Sequence, residues 1–202
     1  MRTGFALMAC WLTPLCVDAQ APTPASMPVV PASQQIAAAV LPLPKEFRAD
    51  ARVLGYAGSA RELTTIRQGK GPFICLANNA AGPEFHVSCY HESLEPFMAR
   101  GRALRASGIV KGEQVDSARF AEVRAGTLAM PAHPATLYQL FGPKGSYDAV
   151  HGTARKAKPL IVVYMPGATS ASTGLSAQPA DGMPWIMFPG TPKAHIMFEP
   201  KM

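Results

Sequence analysis

The sequence predicts an α+β domain, an antiparallel sheet covered by one or two helices and preceded by a signal peptide and a Pro/Ala-rich linker. Three observations lead there. Residues 1–19 have the layout of a secretory leader; short strand-like runs bounded by Gly, Asn or Pro recur from residue 51 onward; and one segment between two groups of such runs carries a full set of helix start and stop signals. Runs of strands with two helices between them favour an antiparallel sheet with helix packed on a face.

In the leader, Arg2 precedes the apolar run Gly4-Phe5-Ala6-Leu7-Met8-Ala9-Cys10-Trp11-Leu12, and Val17-Asp18-Ala19 places small or branched residues where a signal peptidase reads. The run is shorter than the about 20 apolar residues of a permanent bilayer helix. Cleavage between Ala19 and Gln20 is expected, because a cut after Ala21 would set Pro22 beside the scissile bond. The mature chain is therefore expected in the periplasm or outside the cell, with no transmembrane anchor after cleavage. A lipoprotein is the less favoured fate: Leu7-Met8-Ala9-Cys10 follows a very short apolar segment, and Cys16 follows Leu15 where a small residue is wanted.

Export decides the reading of cysteine. Cys10 and Cys16 leave with the leader, and Cys75 and Cys89 remain with thirteen residues between them. Two cysteines in an oxidising compartment predict a disulfide. Cys89-Tyr90-His91 is only a fragment of a metal site, which needs further His or Cys at ligand spacing.

From residue 20 to residue 44 the chain is rich in Pro, Ala and Ser. Pro22, Pro24, Pro28, Pro31, Pro42 and Pro44 interrupt regular structure, so a linker is expected, and a single α+β domain over residues 45–202. A helical turn over 33–40 would be marginal by itself. Strands are then expected at 51–56, 63–67, 73–77 and 85–90, with short turns that favour antiparallel pairing. In the fourth, alternation puts Phe85, Val87, Cys89 and His91 on one face and His86, Ser88 and Tyr90 on the other. The helix that follows has Ser93 as its cap, Glu95 and Pro96 in the first turn, and Gly108 as its stop; Phe97, Gly101, Ala103 and Leu104 form its inward face. A second helix is expected over 117–125 with Phe120 and Val123 inward, and further strands at 136–141, 160–165 and 195–198.

The formal net charge is +6, but Arg48, Arg52, Arg61, Arg67, Lys111, Arg119, Arg155 and Lys193 are scattered and not interleaved with aromatics. That pattern, together with export, argues against nucleic acid as a partner. Arg100, Arg102 and Arg105 on the first helix, and Arg155-Lys156-Ala157-Lys158, are denser and read as solvated faces.

Compact catalytic motifs are missing from the sequence. Ser172 has Gly174 two residues after it but Ser170 two before, which is no nucleophile elbow, and Gly69-Lys70-Gly71 lacks the spacing of a phosphate-binding loop. His86, His91, His133, His151 and His195 never recur at i, i+4. No metal and no cofactor are predicted. Residues 166–194 are the segment with functional potential, because a stretch this long holding Thr169, Ser170, Ser172, Thr173 and the apolar Trp185-Ile186-Met187-Phe188 exceeds an ordinary connection.

Phe73-Ile74-Cys75-Leu76-Ala77, the run from Phe85 to His91 continuing through Ser93-Leu94-Glu95-Pro96-Phe97-Met98-Ala99-Arg100-Gly101, and Pro189-Gly190-Thr191-Pro192-Lys193-Ala194-His195-Ile196-Met197 together resemble a group of uncharacterised secreted or periplasmic proteins of environmental bacteria. The resemblance covers most of the chain after Leu41 and implies export and a single domain; it implies no activity.

The functional expectation is a non-catalytic domain that binds a small molecule or a cell-envelope component through the 166–195 segment and the adjacent sheet edge, with His91, Ser172, Thr173, Trp185 and His195 as binding residues. One alternative is a hydrolase using Ser172 or Thr173 with His195 or His91. Another is a metal-binding protein using His91, His195 and Glu199.

Overall fold

The structure is a computed structural model that describes residues 29–58, 62–180 and 182–200. The expected leader and cleavage site, Cys10, Cys16, Arg61 and the first part of the expected linker lie outside those residues. An eight-stranded sheet runs in the order β2-β1-β3-β4-β5-β6-β8-β7. Its strands are β1 (Arg52–Tyr56), β2 (Leu63–Arg67), β3 (Phe73–Leu76), β4 (Glu84–His91), β5 (Ala135–Pro143), β6 (Lys158–Tyr164), β7 (Trp185–Met187) and β8 (His195–Phe198). Helices α1 (Ala32–Ala39), α2 (Lys45–Arg48), α3 (Glu95–Ala106), α4 (Gly112–Arg124) and the short α5 (Ser170–Thr173) complete it. The α+β class holds. Every pairing is antiparallel except β1 with β3, which run parallel, against the expectation for short turns. The return from β2 makes this possible: residues 68–72 cross the start of β1, where Gly71 N–H donates to Asp50 O at 2.8 Å. A Cβ on Gly69 would stand 2.3 Å from Asp50 O, so only glycine passes there.

Packing against the sheet extends upstream of Lys45, into the stretch expected as linker. Ala39 and Leu43 are 0% and 1% exposed and pack with Val53, Phe73, Cys75 and Cys89. Three prolines flank α1 without entering it, since its sequence is Ala-Ser-Gln-Gln-Ile-Ala-Ala-Ala. The isolated turn is marginal, but docking removes that difficulty: the buried Gln35 amide donates to Val30 O (2.8 Å) and Tyr56 O (2.9 Å) and accepts from Tyr56 N–H (2.8 Å). α1 thus covers one face of the sheet while α3 and α4 cover the other.

That second face holds Ile74, Tyr90, Leu137, Val162 and Tyr164, packed with Leu94 and Phe97 and flanked by Phe120, Val123, Met130 and Met197. The alternation expected in β4 is observed, with Phe85, Val87 and Cys89 in the clusters on the α1 side and Tyr90 on the other. Cys75 and Cys89 sit directly opposite each other on β3 and β4 and form the predicted disulfide.

In α3, Pro96 stands in the first turn, and the helix ends at Gly108 with φ +95°, where Gly108 N–H and Ile109 N–H return to Arg105 O and Leu104 O. A positive φ makes glycine the favoured residue at that closing position. Ser93 does not cap. A 3-10 turn, Glu92–Leu94, precedes the helix, and its cap is His91, whose side chain accepts from Ser93 N–H. Ala103 is exposed; the inward residues are Phe97, Gly101 and Leu104. α4 starts five residues before the expected Ser117, because Lys111 opens it with no side-chain cap to mark the boundary.

Candidate functional site

The 166–195 segment folds as a set of turns closed on one another. Gly167 N–H donates to Thr191 O (2.9 Å), Gly190 N–H to Ala168 O (2.7 Å) and Met165 N–H to Ala194 O (2.9 Å), so the turn after β6 and the turn before β8 form one unit. Its other half, after α5, leads into β7, an edge strand the sequence reading did not assign. Ile186 N–H donates to Ser176 O at 2.9 Å.

The hydroxyls expected to bind or react are occupied by this folding. Thr169 and Ser172 form a reciprocal capping box: Ser172 N–H donates to Thr169 Oγ1 (3.1 Å), and Thr169 N–H donates to Ser172 Oγ (2.9 Å), which lies 3.1 Å from Thr169 O. Thr173 Oγ1 donates to Thr169 O at 2.8 Å. Ser172 and Thr173 thus bond the backbone of their own short helix, as Ser and Thr commonly do, while Thr169 caps its start and Gly174 its end. Trp185 and His195 are 7% and 6% exposed, so they are interior residues of the β7–β8 edge.

His195 and His91 do not meet. They stand on β8 and β4 with β5 and β6 between them, about 14 Å apart at the usual strand spacing. His91 Nδ1 is engaged with Ser93 Oγ (2.8 Å), and its ring meets Phe73 edge-on. Among the described residues no group of three or more His, Cys, Asp or Glu side chains converges, so the set His91, His195, Glu199 is not assembled.

What the segment does gather is an ion network against α4. Asp116 accepts from Arg119 Nη2 at 2.5 Å and from Lys193 Nζ at 2.8 Å. Arg119, one of the scattered basic residues, is 5% exposed; its guanidinium lies 3.8 Å over the Phe97 ring, and Nη1 donates to Phe97 O. Lys193 Nζ also lies 4.3 Å from the centre of the Phe188 ring. Phe188 is the one described residue other than glycine with positive φ, at +52°, and it is partly exposed. Burial alone would raise the Asp116 carboxyl, but the hydrogen bonds and charges of Lys193 and Arg119 outweigh it and hold the group below its ordinary range. Tyr164 is pushed up to about 12, chiefly by burial. Burial likewise holds His195 below its ordinary value, partly offset by the Lys193 carbonyl that accepts from Nδ1 at 2.7 Å.

This network fixes one wall of a groove of about 420 Å³, lined by Phe120, Val123, Arg124 and Met130 from α4 and the loop after it, and by Pro166, Gly167, Gly190, Thr191 and Pro192 from the paired turns. Ser172, Thr173, Trp185, His195 and His91 do not line it. The sequence reading placed Phe120 and Val123 inward, but it had no means of pairing them with two turns that lie between 43 and 72 positions further along the chain. The basic cluster on α3 is also accounted for. Arg100 makes a two-pronged pair with Glu122 on α4, and Arg102 bridges Glu95 and the Tyr90 hydroxyl, each at 2.8 Å. Arg124, by contrast, is exposed, lines the groove, and among the described residues makes no ion pair or side-chain hydrogen bond.

No protein-family model matches the chain, nor does any curated protein or solved structure. Among the described residues no helix is long and apolar enough to cross a membrane.

Proposed function

We propose that the chain is an exported, non-catalytic binding domain whose groove beside α4 takes a small amphipathic anion, such as an acyl carboxylate. The observation that carries this reading is the groove's chemistry: apolar lining from Phe120, Val123, Met130 and Pro192 together with the exposed, cationic Arg124. Ligand sites are mostly apolar with a few polar groups that fix orientation, and a guanidinium suits a carboxylate bidentately. The wall is rigid on both sides, since Asp116 ties the α4 side to Lys193 and backbone hydrogen bonds tie the turns to each other. Preorganisation of this kind lowers the ordering cost of binding. Export is supported by the leader-like first 19 residues and by the Cys75–Cys89 disulfide, which persists in oxidising compartments.

The test is calorimetric titration of the full chain with octanoate and, in parallel, octanol. Octanoate binds and octanol binds more weakly. Val123→Trp, which fills the floor, abolishes binding with an unchanged circular dichroism spectrum, and the exposed Arg124→Gln lowers octanoate affinity about tenfold and removes the preference over octanol. Absence of octanoate binding at millimolar concentration sinks the proposal, and so does ester hydrolysis lost in Ser172→Ala, which would restore the hydrolase.

A further inference from the structure

At the sheet edge beyond the groove, β7 and β8 set four side chains of related chemistry together. The register places Met187 opposite His195 and Trp185 opposite Met197. Directly opposed residues of an antiparallel pair share a face, with Cβ atoms about 5 Å apart, and diagonal neighbours remain within reach of long side chains. The face is known independently: the His195 ring lies 5.1 Å from that of Tyr164, and Met197 packs with the cluster that contains Val162 and Tyr164. Met187 and Met197 are only partly buried, so the patch is reachable from solvent.

His195 is held as an oriented ligand would be. The Lys193 carbonyl can only accept, so the 2.7 Å contact makes Nδ1 the donor and leaves the lone pair of the neutral ring on Nε2. A backbone carbonyl on one ring nitrogen is the usual way an imidazole is fixed for coordination through the other. Beside it, Trp185 is buried, and among the described residues its Nε1 has no partner, although buried tryptophans commonly find an acceptor. The register puts this indole on the same face as the two methionines and His195, and an aromatic ring beside a cation site favours the cation.

We propose that Met187 Sδ, Met197 Sδ and His195 Nε2 form a site for a soft monovalent cation, Cu(I) or Ag(I), flanked by the Trp185 indole. Two thioethers and one imidazole are neutral, polarisable donors; they select soft ions and are poor ligands for Mg²⁺ or Ca²⁺, which take oxygen. Methionine's unbranched, three-torsion side chain lets both sulfurs turn onto one ion from neighbouring strand positions. The nearby Lys193 ammonium is paired with Asp116 at 2.8 Å, a carboxylate it shares with Arg119, so this triad carries one net positive charge that the neutral donors must outweigh. Bound metal adds no change of oxidation state.

Ag(I) is the probe, because it needs no reductant and leaves the Cys75–Cys89 bridge intact. Silver nitrate is titrated in chloride-free buffer into the chain from Gln20 onward, which lacks the competing thiols of Cys10 and Cys16, labelled with ¹³C at the methionine methyls, with affinity measured by calorimetry. One tight equivalent is expected, and the Met187 and Met197 methyls shift while that of the exposed Met183 stays. Met187→Leu and Met197→Leu, which nearly conserve volume and so keep the fold, each weaken binding at least tenfold, whereas Met183→Leu leaves it unchanged. The site is overturned by undiminished affinity in the Met187→Leu/Met197→Leu double variant, by shifts confined to other methionines, or by an equally tight complex with Zn(II).

Discussion

Asp116→Asn removes the one carboxylate that Arg119 and Lys193 share. The side chains of Asp116 and Arg119 keep 14% and 6% of their surface in contact with solvent and that of Lys193 keeps 21%, so this is a mostly buried triad and not a surface pair. Breaking such a pair by removing one partner costs about 3–5 kcal/mol, because the remaining charge stays desolvated. The exposure left to Lys193 points to the lower end, about 3 kcal/mol. For a chain of this length each kcal/mol moves the melting midpoint by roughly 2–4 °C, so the variant should melt about 6–12 °C below the parent. The pH dependence has a definite sign. With its folded pKa below the unfolded value, Asp116 stabilises fully above about pH 4, and that stability is lost as pH falls through the folded pKa. His195 and Tyr164 also face the network; His195 loses stability with acid at higher pH, and Tyr164 does not titrate in this range. Urea titrations of both proteins from pH 7 to pH 2 should show a constant gap that closes at the acid end. Combined with Arg119→Met, the same substitution should cost less than it does alone. A neutral-pH loss under about 1 kcal/mol, the size of a surface pair, refutes the buried network, as does a gap that persists at pH 2.

Three further outcomes follow from the same geometry. Cys75→Ala/Cys89→Ala should lower stability by about 3 kcal/mol in a chain-entropy estimate, and thiol titration of the denatured, unreduced parent should find Cys75 and Cys89 unreactive. Leu43→Ala should cost about 2–5 kcal/mol by chemical denaturation, as for any fully buried leucine, whereas a position in a linker would cost nothing measurable. NMR titration of His195 should give a midpoint below the ordinary 6.5, and its contribution to stability, full above that value, should fall away as pH drops through the folded midpoint.

The strands were the legible part of this chain, because each of the first four is a short run of apolar and β-branched residues set between turn formers, and alternation in Phe85–Tyr90 assigned its two faces correctly. Elements stabilised by distant contacts were not. α1 sits between Pro31 and Pro42 and depends on the Gln35 amide reaching Val30 and Tyr56, which no local pattern reveals. β7 is three residues long and bounded by Pro184 and Pro189, too short for alternation to register. At the candidate site, residue types were visible and roles were not. Ser172 looked reactive because hydroxyls clustered, yet the Thr169-x-x-Ser172 spacing is itself a capping signal that could have assigned it. The spacing of Asp116 and Arg119, one helical turn apart, was likewise readable, but the burial that gives it weight comes from Phe97 on another helix. The groove pairs α4 with turns near both ends of the 166–195 segment, a juxtaposition created by sheet order.

The binding groove is tested most directly by the methyl spectrum of the full chain, labelled with ¹³C at methionine, during titration with octanoate. Met130 lines the groove, while Met187, Met197 and Met183 do not. Occupation of the groove predicts a saturable shift of the Met130 methyl that Val123→Trp eliminates, with the other three unmoved. An unperturbed Met130 signal at saturating octanoate, or a shift centred on Met183 or Met187 instead, would show that the ligand, if it binds, binds elsewhere.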